Sequence, residues 1–453
     1  MSMLLKISKF FLYASVFSVV IVMTSTFFPF IGGKDYFFRF SVELAAIFFI
    51  LWLAFETKGG EVLNRLREVF GRPLFVAVSV FMLVVLLSTI FAYDPNAAFW
   101  SNYERGDGGF QMLHYYTFFV LLVLLLEKKE DWRLLFKISV FAAVLMILYG
   151  VFANLGWADN FISPYQGGKV PTTLWQRLVE ARFQGSLGNP AYVAPYLLFS
   201  LFYVAYLWFG SQFKNKRLGS LIYGGLFIVF LFFFILSQTR GGLLGLGAGL
   251  FVFIVYLIIA IPRLRKWLIP VFVALVLLGS SLVYFRQSDF IKKKIPGGRI
   301  FDIAFSEQTV NTRLWTWGSA WNGFKERPVL GWGLENFSAV FDKYFDPRHF
   351  VPGKNTETWF DRAHSLFFDY LAETGILGLL SYLGIFVVFF ISLFSKIIKG
   401  TKTSPIMIAL LFSLPVAYLV QGAAIFDVLP IYINLFLFFA FSYHFLYTNE
   451  TTN

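Results

Sequence analysis

Few side chains in this sequence can act as a base near neutral pH, because its 453 residues contain 4 His and no Cys. One of the four, His364, stands in the run Phe360-Asp361-Arg362-Ala363-His364-Ser365, where a polar segment (286–363) gives way to apolar sequence. A neutral imidazole in such a place can take a proton from a hydroxyl group. Isolated arginines mark the edges of other apolar stretches. Arg182 opens Arg182-Phe183-Gln184-Gly185-Ser186-Leu187-Gly188-Asn189-Pro190. Arg240 lies in Ser237-Gln238-Thr239-Arg240-Gly241-Gly242, and Arg105 in Tyr103-Glu104-Arg105-Gly106-Asp107-Gly108-Gly109. Arg313 sits inside the polar segment itself. Guanidinium groups hold phosphate oxygens two at a time, and such contacts are strong beside a low-dielectric boundary. One base and several arginines suit an anionic, membrane-borne substrate, and a pyrophosphate leaving group needs that charge if no metal supplies it.

The elements that must position these residues are membrane spans. Hydrophobic residues make up 58% of the chain and charged residues 14%, and the mean hydropathy is +0.69. These values exclude an ordinary soluble globular protein. Stretches such as Phe10–Ile31, Leu74–Ala92, Leu134–Asn154, Leu218–Leu236 and Ile376–Phe394 reach the length of roughly 20 residues that a bilayer core requires. The first is not a cleavable signal peptide, being too long, without a small-residue cleavage site, and followed by many more spans. The fold class expected is an all-α integral membrane protein. It should have about twelve transmembrane helices, beginning near residues 10, 38, 74, 110, 134, 190, 218, 241, 267, 374, 404 and 427.

Charge orients them. With the N-terminus inside, every internal loop carries a basic cluster: Lys58, Arg65, Arg67 and Arg72; Lys128, Lys129 and Arg133; Lys214, Lys216 and Arg217; Arg263, Arg265 and Lys266; Lys396, Lys399 and Lys402. Both termini are then cytoplasmic. The net charge of +12 reflects scattered topological anchors rather than one patch, so no nucleic-acid partner is expected. Three divisions follow: residues 1–285 with spans one to nine, an external loop with interfacial helices over 286–373, and spans ten to twelve over 374–453. Shorter external loops cover residues 155–189 and Tyr93–Gly109.

Inside the long loop, the basic run Lys292-Lys293-Lys294-Ile295-Pro296-Gly297-Gly298-Arg299 precedes a helical pattern from Thr309 to Lys325. Leu314, Trp317, Trp321 and Phe324 share one face of that helix, which reads as lying along the membrane surface, with Arg313 at the edge of the stripe. Pro328-Val329-Leu330-Gly331-Trp332-Gly333-Leu334-Glu335-Asn336-Phe337 reads as a helix stop and a tight glycine turn. Asp361 is the expected N-cap of a helix running to Glu373 and closed by Gly375. His364 would then lie in the first turn, where the positive end of the helix dipole keeps it neutral.

Simpler readings stand beside these. Arginines snorkel at membrane edges, although Arg240 resists that account because positive charge is disfavoured on external flanks and its glycine neighbours allow close approach. Asp361 and His364, with Asp346 and His349, could ligate a metal; a cap explains Asp361, however, and no second close histidine pair exists. Neither metal nor cofactor is therefore expected. His114 and His444 fit packing or interfacial roles. No glycine-rich phosphate loop follows a strand, so a nucleotide donor has no support.

Together these segments resemble the O-antigen ligase and O-antigen polymerase superfamily of membrane glycosyltransferases. The matching pieces are Arg182…Gly185-Ser186-Leu187-Gly188-Asn189-Pro190; Thr239-Arg240-Gly241-Gly242; and Arg313-Leu314-Trp315…Ala320-Trp321…Arg327-Pro328-Val329-Leu330-Gly331-Trp332-Gly333…Asn336-Phe337. A fourth is Ala363-His364-Ser365-Leu366…Glu373-Thr374-Gly375-Ile376-Leu377-Gly378, where many relatives have Asn at the position of Ser365. The resemblance is best over about residues 180–385, and the first five spans match mainly in layout. It implies transfer of a glycan from a polyprenyl-pyrophosphate carrier to a lipid or glycan acceptor, lipid A core among them, on the outer face of the cytoplasmic membrane. The reaction implied is metal-independent and inverting. His364 would deprotonate the acceptor, while Arg182, Arg240 and Arg313 would bind the pyrophosphate. A repeat-unit polymerase or a protein O-oligosaccharyltransferase would look almost the same. A lipid-linked oligosaccharide transporter is a rival of another class, though transporters usually carry repeat symmetry and midplane polar groups. A scaffold with no site leaves the external arginines unexplained.

Overall fold

The computed structural model describes residues 2–26, 28–56, 59–102, 106–158, 173–210, 215–288, 290–291, 308–350, 358–400 and 403–448. Arg105 and the basic run 292–299 lie outside them. Among the described residues there is no strand, and the helices follow in order. They are α1 (Met3–Ser15, extended by a 3-10 turn, Val16–Val20), α2 (Gly32–Phe55), α3 (Gly59–Phe70), α4 (Pro73–Ile90), α5 (Pro95–Trp100), α6 (Gly109–Leu125), α7 (Lys129–Leu155), α8 (Leu174–Val179) and α9 (Pro190–Phe209). Then come α10 (Lys216–Leu236), α11 (Arg240–Ala260), α12 (Arg265–Tyr284), α13 (Gln308–Glu326), α14 (Phe337–Lys343), α15 (Leu366–Ile398), α16 (Pro405–Gly422) and α17 (Leu429–Tyr447). Eleven helical segments among the described residues are long and apolar enough to cross a bilayer, and α6, one residue short of that length, is a further apolar helix. The protein is thus an all-helical, multi-pass membrane protein.

Local chemistry starts these helices where the sequence turns apolar. Proline opens α4, α9 and α16, where its missing N–H costs nothing. The Asn189 side chain accepts from the Ala191 amide and caps α9, and Asn215 does the same for α10. Two expected boundaries are corrected. The first span runs from Met3 to Val20 rather than from Phe10 to Ile31. Residues 21–26 and 28–31 instead lie outside any helix, where the Met23 amide donates to the Pro29 carbonyl (2.9 Å) and Phe30 lies against Gly188. Hydropathy cannot separate a span from an apolar loop that packs. The tenth span begins at Leu366, eight residues before the expected 374, for a reason found at the site below.

Helices α9 and α17 are apolar on all sides and almost wholly buried, so they form the middle of the bundle. Helix α12 has no buried residue and lies at its edge. The closest seam joins α11 to α16: a Cβ at Gly245 would stand 2.5 Å from the Ala417 carbonyl oxygen, and one at Gly249 2.8 Å from the Ala417 Cβ. Small residues are what let two membrane helices approach so closely, and this seam fixes the start of α11, where Arg240 sits.

The two ends of the bundle differ. At one, Lys9 pairs with Asp131 (2.8 Å), Arg133 donates to the Gly210 carbonyl (2.7 Å), and Lys396 to that of Phe445 (2.6 Å). At the other, the remaining connections bond to one another. Ser186 Oγ donates to the Val19 carbonyl (2.7 Å), Phe183 N to that of Leu236 (2.9 Å), Tyr93 N to that of Trp332 (2.7 Å), and Leu366 N to that of Ile425 (2.9 Å).

Candidate active site

His364 is held by its own segment. Helix α15 begins at Leu366 with Ser365 as its extended N-cap residue (φ −154°, ψ 122°), so Asp361 is not the cap and His364 is not in the first turn. The Asp369 side chain, in that first turn, reaches back to accept from the Ala363 amide (2.6 Å) and ties the preceding chain to the helix. Both Asp361 and Ser365 are good N-cap types, and Asp369 explains why the later one is used. His364 therefore stands just outside the helix at φ +54°, a left-handed conformation uncommon for a residue with a Cβ. This turn brings Nδ1 within 3.1 Å of the Arg362 carbonyl oxygen. A carbonyl only accepts, so Nδ1 carries the hydrogen, and in the neutral ring the lone pair is then on Nε2. The half-buried ring meets Phe360 and Phe426 edge-on, at 5.2 and 5.1 Å between centroids.

Phe426, in the link between α16 and α17, is where the other segments gather. The Tyr192 ring lies 6.1 Å from it, three residues beyond the Gly188-Asn189 turn. Gly241 packs on the same link, where a Cβ would be 3.3 Å from the Ala424 Cβ. Thr239 Oγ1 donates to the Pro190 carbonyl (3.0 Å) and Phe183 N to that of Leu236, which joins the Arg182 segment to the Arg240 turn. On the other side, Trp317 Nε1 donates to the Ala363 carbonyl (3.0 Å), one residue before His364. Arg313 is one turn before Trp317 on α13, whose observed span, Gln308–Glu326, agrees with the expected 309–325. The segments bearing Arg182, Arg240, Arg313 and His364 thus meet at one end of the bundle.

The apolar stripe of α13 is split in use. Trp317 stacks on Phe368 at 5.1 Å, while Leu314 and Trp321 are exposed. They face an apolar groove of about 470 Å³ shared with Phe367 and Leu371 of α15.

Sequence reasoning missed the ionic group behind His364. Arg362 is buried and forms ion pairs with Glu335 and with Glu373 (3.1 Å). Burial opposes its charge, but Glu335 and Glu373, then Asp369 and Asp107, outweigh that and hold its pKa well above the usual range. The guanidinium also lies 5.8 Å from the Phe426 ring, the ring that touches His364. Next to it, buried Asp427 accepts from the Tyr418 hydroxyl, and burial pushes its pKa up to about 7. One signal could have found this group: Asp369 and Glu373 are charges inside an apolar run, where ionisable residues are rare without a partner.

Glu373 also ends half a helix. At Gly375 (φ +64°, ψ −165°) helix α15 breaks and then resumes, so the expected closure at Gly375 is an interruption, not an end. The segment 328–333 fills the gap. The Trp332 and Gly333 amides donate to the Ala372 and Glu373 carbonyls (2.9 and 2.8 Å), and the Ile376 and Leu377 amides donate to those of Pro328 and Val329 (2.9 and 3.3 Å). Two carbonyls and two amides freed by the break thus find partners in that strap, and Ser88 Oγ of α4 also donates to the Glu373 carbonyl (2.8 Å). A Cβ at Gly331 would collide with the Glu373 backbone, and one at Gly375 with that of Val329.

The remaining histidines are placed elsewhere. His349 lies in a cage of Trp315, Phe341 and Phe360 rings at 5.2–5.4 Å, where burial disfavours its charged form. Asp346 beside it is engaged by Arg348 (2.9 Å). His114 meets Glu43 at 3.0 Å, and the His444 ring lies 5.7 Å from that of Trp132.

The class of protein is an all-helical membrane bundle with a histidine and arginine-bearing segments gathered at one end. Residues 225–383 match the family described as O-antigen ligase, a stretch that contains Arg240, Arg313, the strap, Arg362 and His364. The chain therefore carries an O-antigen ligase domain, which supports its membership of the O-antigen ligase superfamily, and the family implies glycosyltransferase-like ligase activity. No curated protein matches the chain significantly.

Proposed function

We propose that the protein transfers a glycan from a polyprenyl-pyrophosphate carrier to an acceptor hydroxyl, lipid A core or a similar surface acceptor, on the outer face of the cytoplasmic membrane. The observation that carries this reading is His364, whose Nδ1 is engaged by a backbone carbonyl so that Nε2 is the basic nitrogen. Arginine-bearing segments surround it. The acceptor O–H proton passes to Nε2 as the oxygen bonds to the anomeric carbon. The bond from that carbon to the carrier's phosphate oxygen breaks, and its electron pair leaves with the pyrophosphate. Arg182, Arg240 and Arg313 hold the developing charge, and Arg105 is a further candidate. Attack opposite the leaving group inverts the anomeric centre, and the roles assigned to the side chains need no metal. The basic end of the bundle is cytoplasmic on the positive-inside rule, which turns the His364 end outward.

The test is transfer by purified protein in detergent with a polyprenyl-pyrophosphate-linked glycan as donor. Wild type should form product, whereas His364→Ala and Arg240→Ala should fold but transfer at least ~100-fold more slowly. Retained transfer by His364→Ala removes the base assignment. Surface glycans after gene deletion separate ligase from polymerase: polymer left on the carrier indicates a ligase, and single repeat units indicate a polymerase.

A further inference from the structure

We infer that Arg362, clamped between Glu335 and Glu373, is a positioning residue that sets the aim and the charge environment of His364. The inference rests on His364 being the base. Arg362 reaches His364 by two routes. Its carbonyl oxygen takes the Nδ1 hydrogen, so any movement of the Arg362 backbone moves the ring. Its guanidinium packs on Phe426, whose ring also meets the imidazole. Both glutamates of the clamp are held by further contacts. Glu373 accepts the Glu335 amide (3.0 Å) and ends the first half of α15, where the strap's amides bond to its backbone. Glu335 sits at φ +59°, two residues after the strap. The chain before His364 is further tied by Asp369 to the Ala363 amide and by Trp317 to the Ala363 carbonyl. A residue in a left-handed conformation persists only when its surroundings over-determine it; these contacts hold the chain before His364, and the Leu366 amide on the Ile425 carbonyl (2.9 Å) holds the chain after it. The Glu373-Thr374-Gly375 and Gly331-Trp332-Gly333 runs thereby acquire a shared purpose: they hold the Arg362 partners.

The sign of the charge separates this role from simple structural support. The charged groups on the elements around His364 are Asp361 and Arg362 on its own segment, Asp369 and Glu373 on α15, Glu335 after the strap, Asp427 in the α16–α17 link, Arg240 on α11 and Arg313 on α13. Replacing Arg362 by Gln leaves two carboxylates uncompensated and favours imidazolium. Replacing Glu335 by Gln removes one negative charge, leaving Arg362 paired with Glu373 alone, and disfavours imidazolium relative to wild type.

The experiment is the pH profile of kcat/KM for Arg362→Gln, Glu335→Gln and Arg362→Lys, with His364→Ala in parallel and melting temperature in detergent as the folding control. The acidic limb should move to higher pH in Arg362→Gln and to lower pH in Glu335→Gln, each by roughly half a unit or more. Arg362→Lys keeps the charge but not the fork, so its limb should stay in place while kcat falls about 10-fold or more. If Arg362→Gln does not fold, Glu335→Gln and Arg362→Lys decide alone. Limbs that stay in place or move the same way in both Gln variants overturn the inference, as does an unchanged kcat in Arg362→Lys. Activity in His364→Ala instead overturns the assignment of the base, whatever the other variants do. Loss in His364→Ala with wild-type behaviour of the clamp variants overturns only the clamp.

Discussion

The Nδ1 atom of His364 and the carbonyl oxygen of Arg362 lie 3.1 Å apart, two residues from each other on one short turn. That distance is reached because His364 adopts φ +54°, which folds its side chain back over the segment that precedes it. A residue with a Cβ holds this conformation at a cost of order 1 kcal/mol. Backbone preference therefore does not account for a histidine at this position.

Substitution by glycine tests that reason. His364→Gly removes the base but leaves a residue at ease with positive φ. Transfer should fall by ~100- to 10,000-fold, the usual contribution of a general base, while the melting temperature stays within a few degrees. Added imidazole should restore part of the rate, since the vacated space between Phe360 and Phe426 has the shape of the lost ring. A glycine variant that transfers at the wild-type rate without imidazole would end the case for His364.

Gly375 and Gly384 offer a paired test of the strap on a single helix. At Gly375 the backbone is in a region open essentially to glycine alone, and a Cβ would strike the Val329 backbone. Gly375→Ala should cost about 3 kcal/mol or more, from strain and from displacement of segment 328–333. At Gly384, nine residues on, a Cβ meets nothing within 4 Å. Gly384→Ala should therefore be neutral or stabilising by up to ~1 kcal/mol. Thermal unfolding in detergent measures both, and equal effects from the two substitutions would refute the strap.

Much of this arrangement was legible in the sequence, and what was not has physical causes. The spans could be read because a bilayer imposes length and apolarity on each one separately. Helix α13 could be read because Leu314, Trp317, Trp321 and Phe324 repeat at its own period. The start of α15 was misplaced because Asp361 and Ser365 are both cap types, and the choice rests on Asp369 bonding to Ala363 across six residues. The Arg362 clamp was invisible for a similar reason. Glu335 is 27 residues from Arg362 in the chain, and it is brought there by the strap, which seats in the break at Gly375. Residues 21–31 were read as membrane because apolar side chains that pack on Gly188 look the same as those that face lipid. Local rules reach local elements, and a site assembled from distant connections at one end of a bundle lies beyond them.

Asp427 gives the protein a pH dependence of definite sign. Its carboxyl is buried in the link beside Phe426, and burial raises its pKa to about 7; Asp107 and Asp369 push the same way, while the Tyr418 hydroxyl and Arg362 oppose them. In the unfolded chain the same group titrates near ~3.9. Between these values the native state holds a proton that the unfolded state has lost, so stability falls as pH rises through that window. The contribution is fully present below pH ~4 and is gone once pH has passed the folded pKa. Asp427→Asn keeps an oxygen to accept from Tyr418 but cannot ionise. Comparison of the two proteins isolates this group from all the other carboxylates. The melting temperature of wild type relative to the variant should decline between pH 5 and pH 8 by roughly 5 °C, with the asparagine protein the more stable of the two at pH 8. Parallel curves, or a wild type that gains on the variant as pH rises, would show that the carboxyl is ionised in the folded protein at neutral pH. The link that carries Phe426 against His364 would then hold a fixed negative charge instead of a neutral acid.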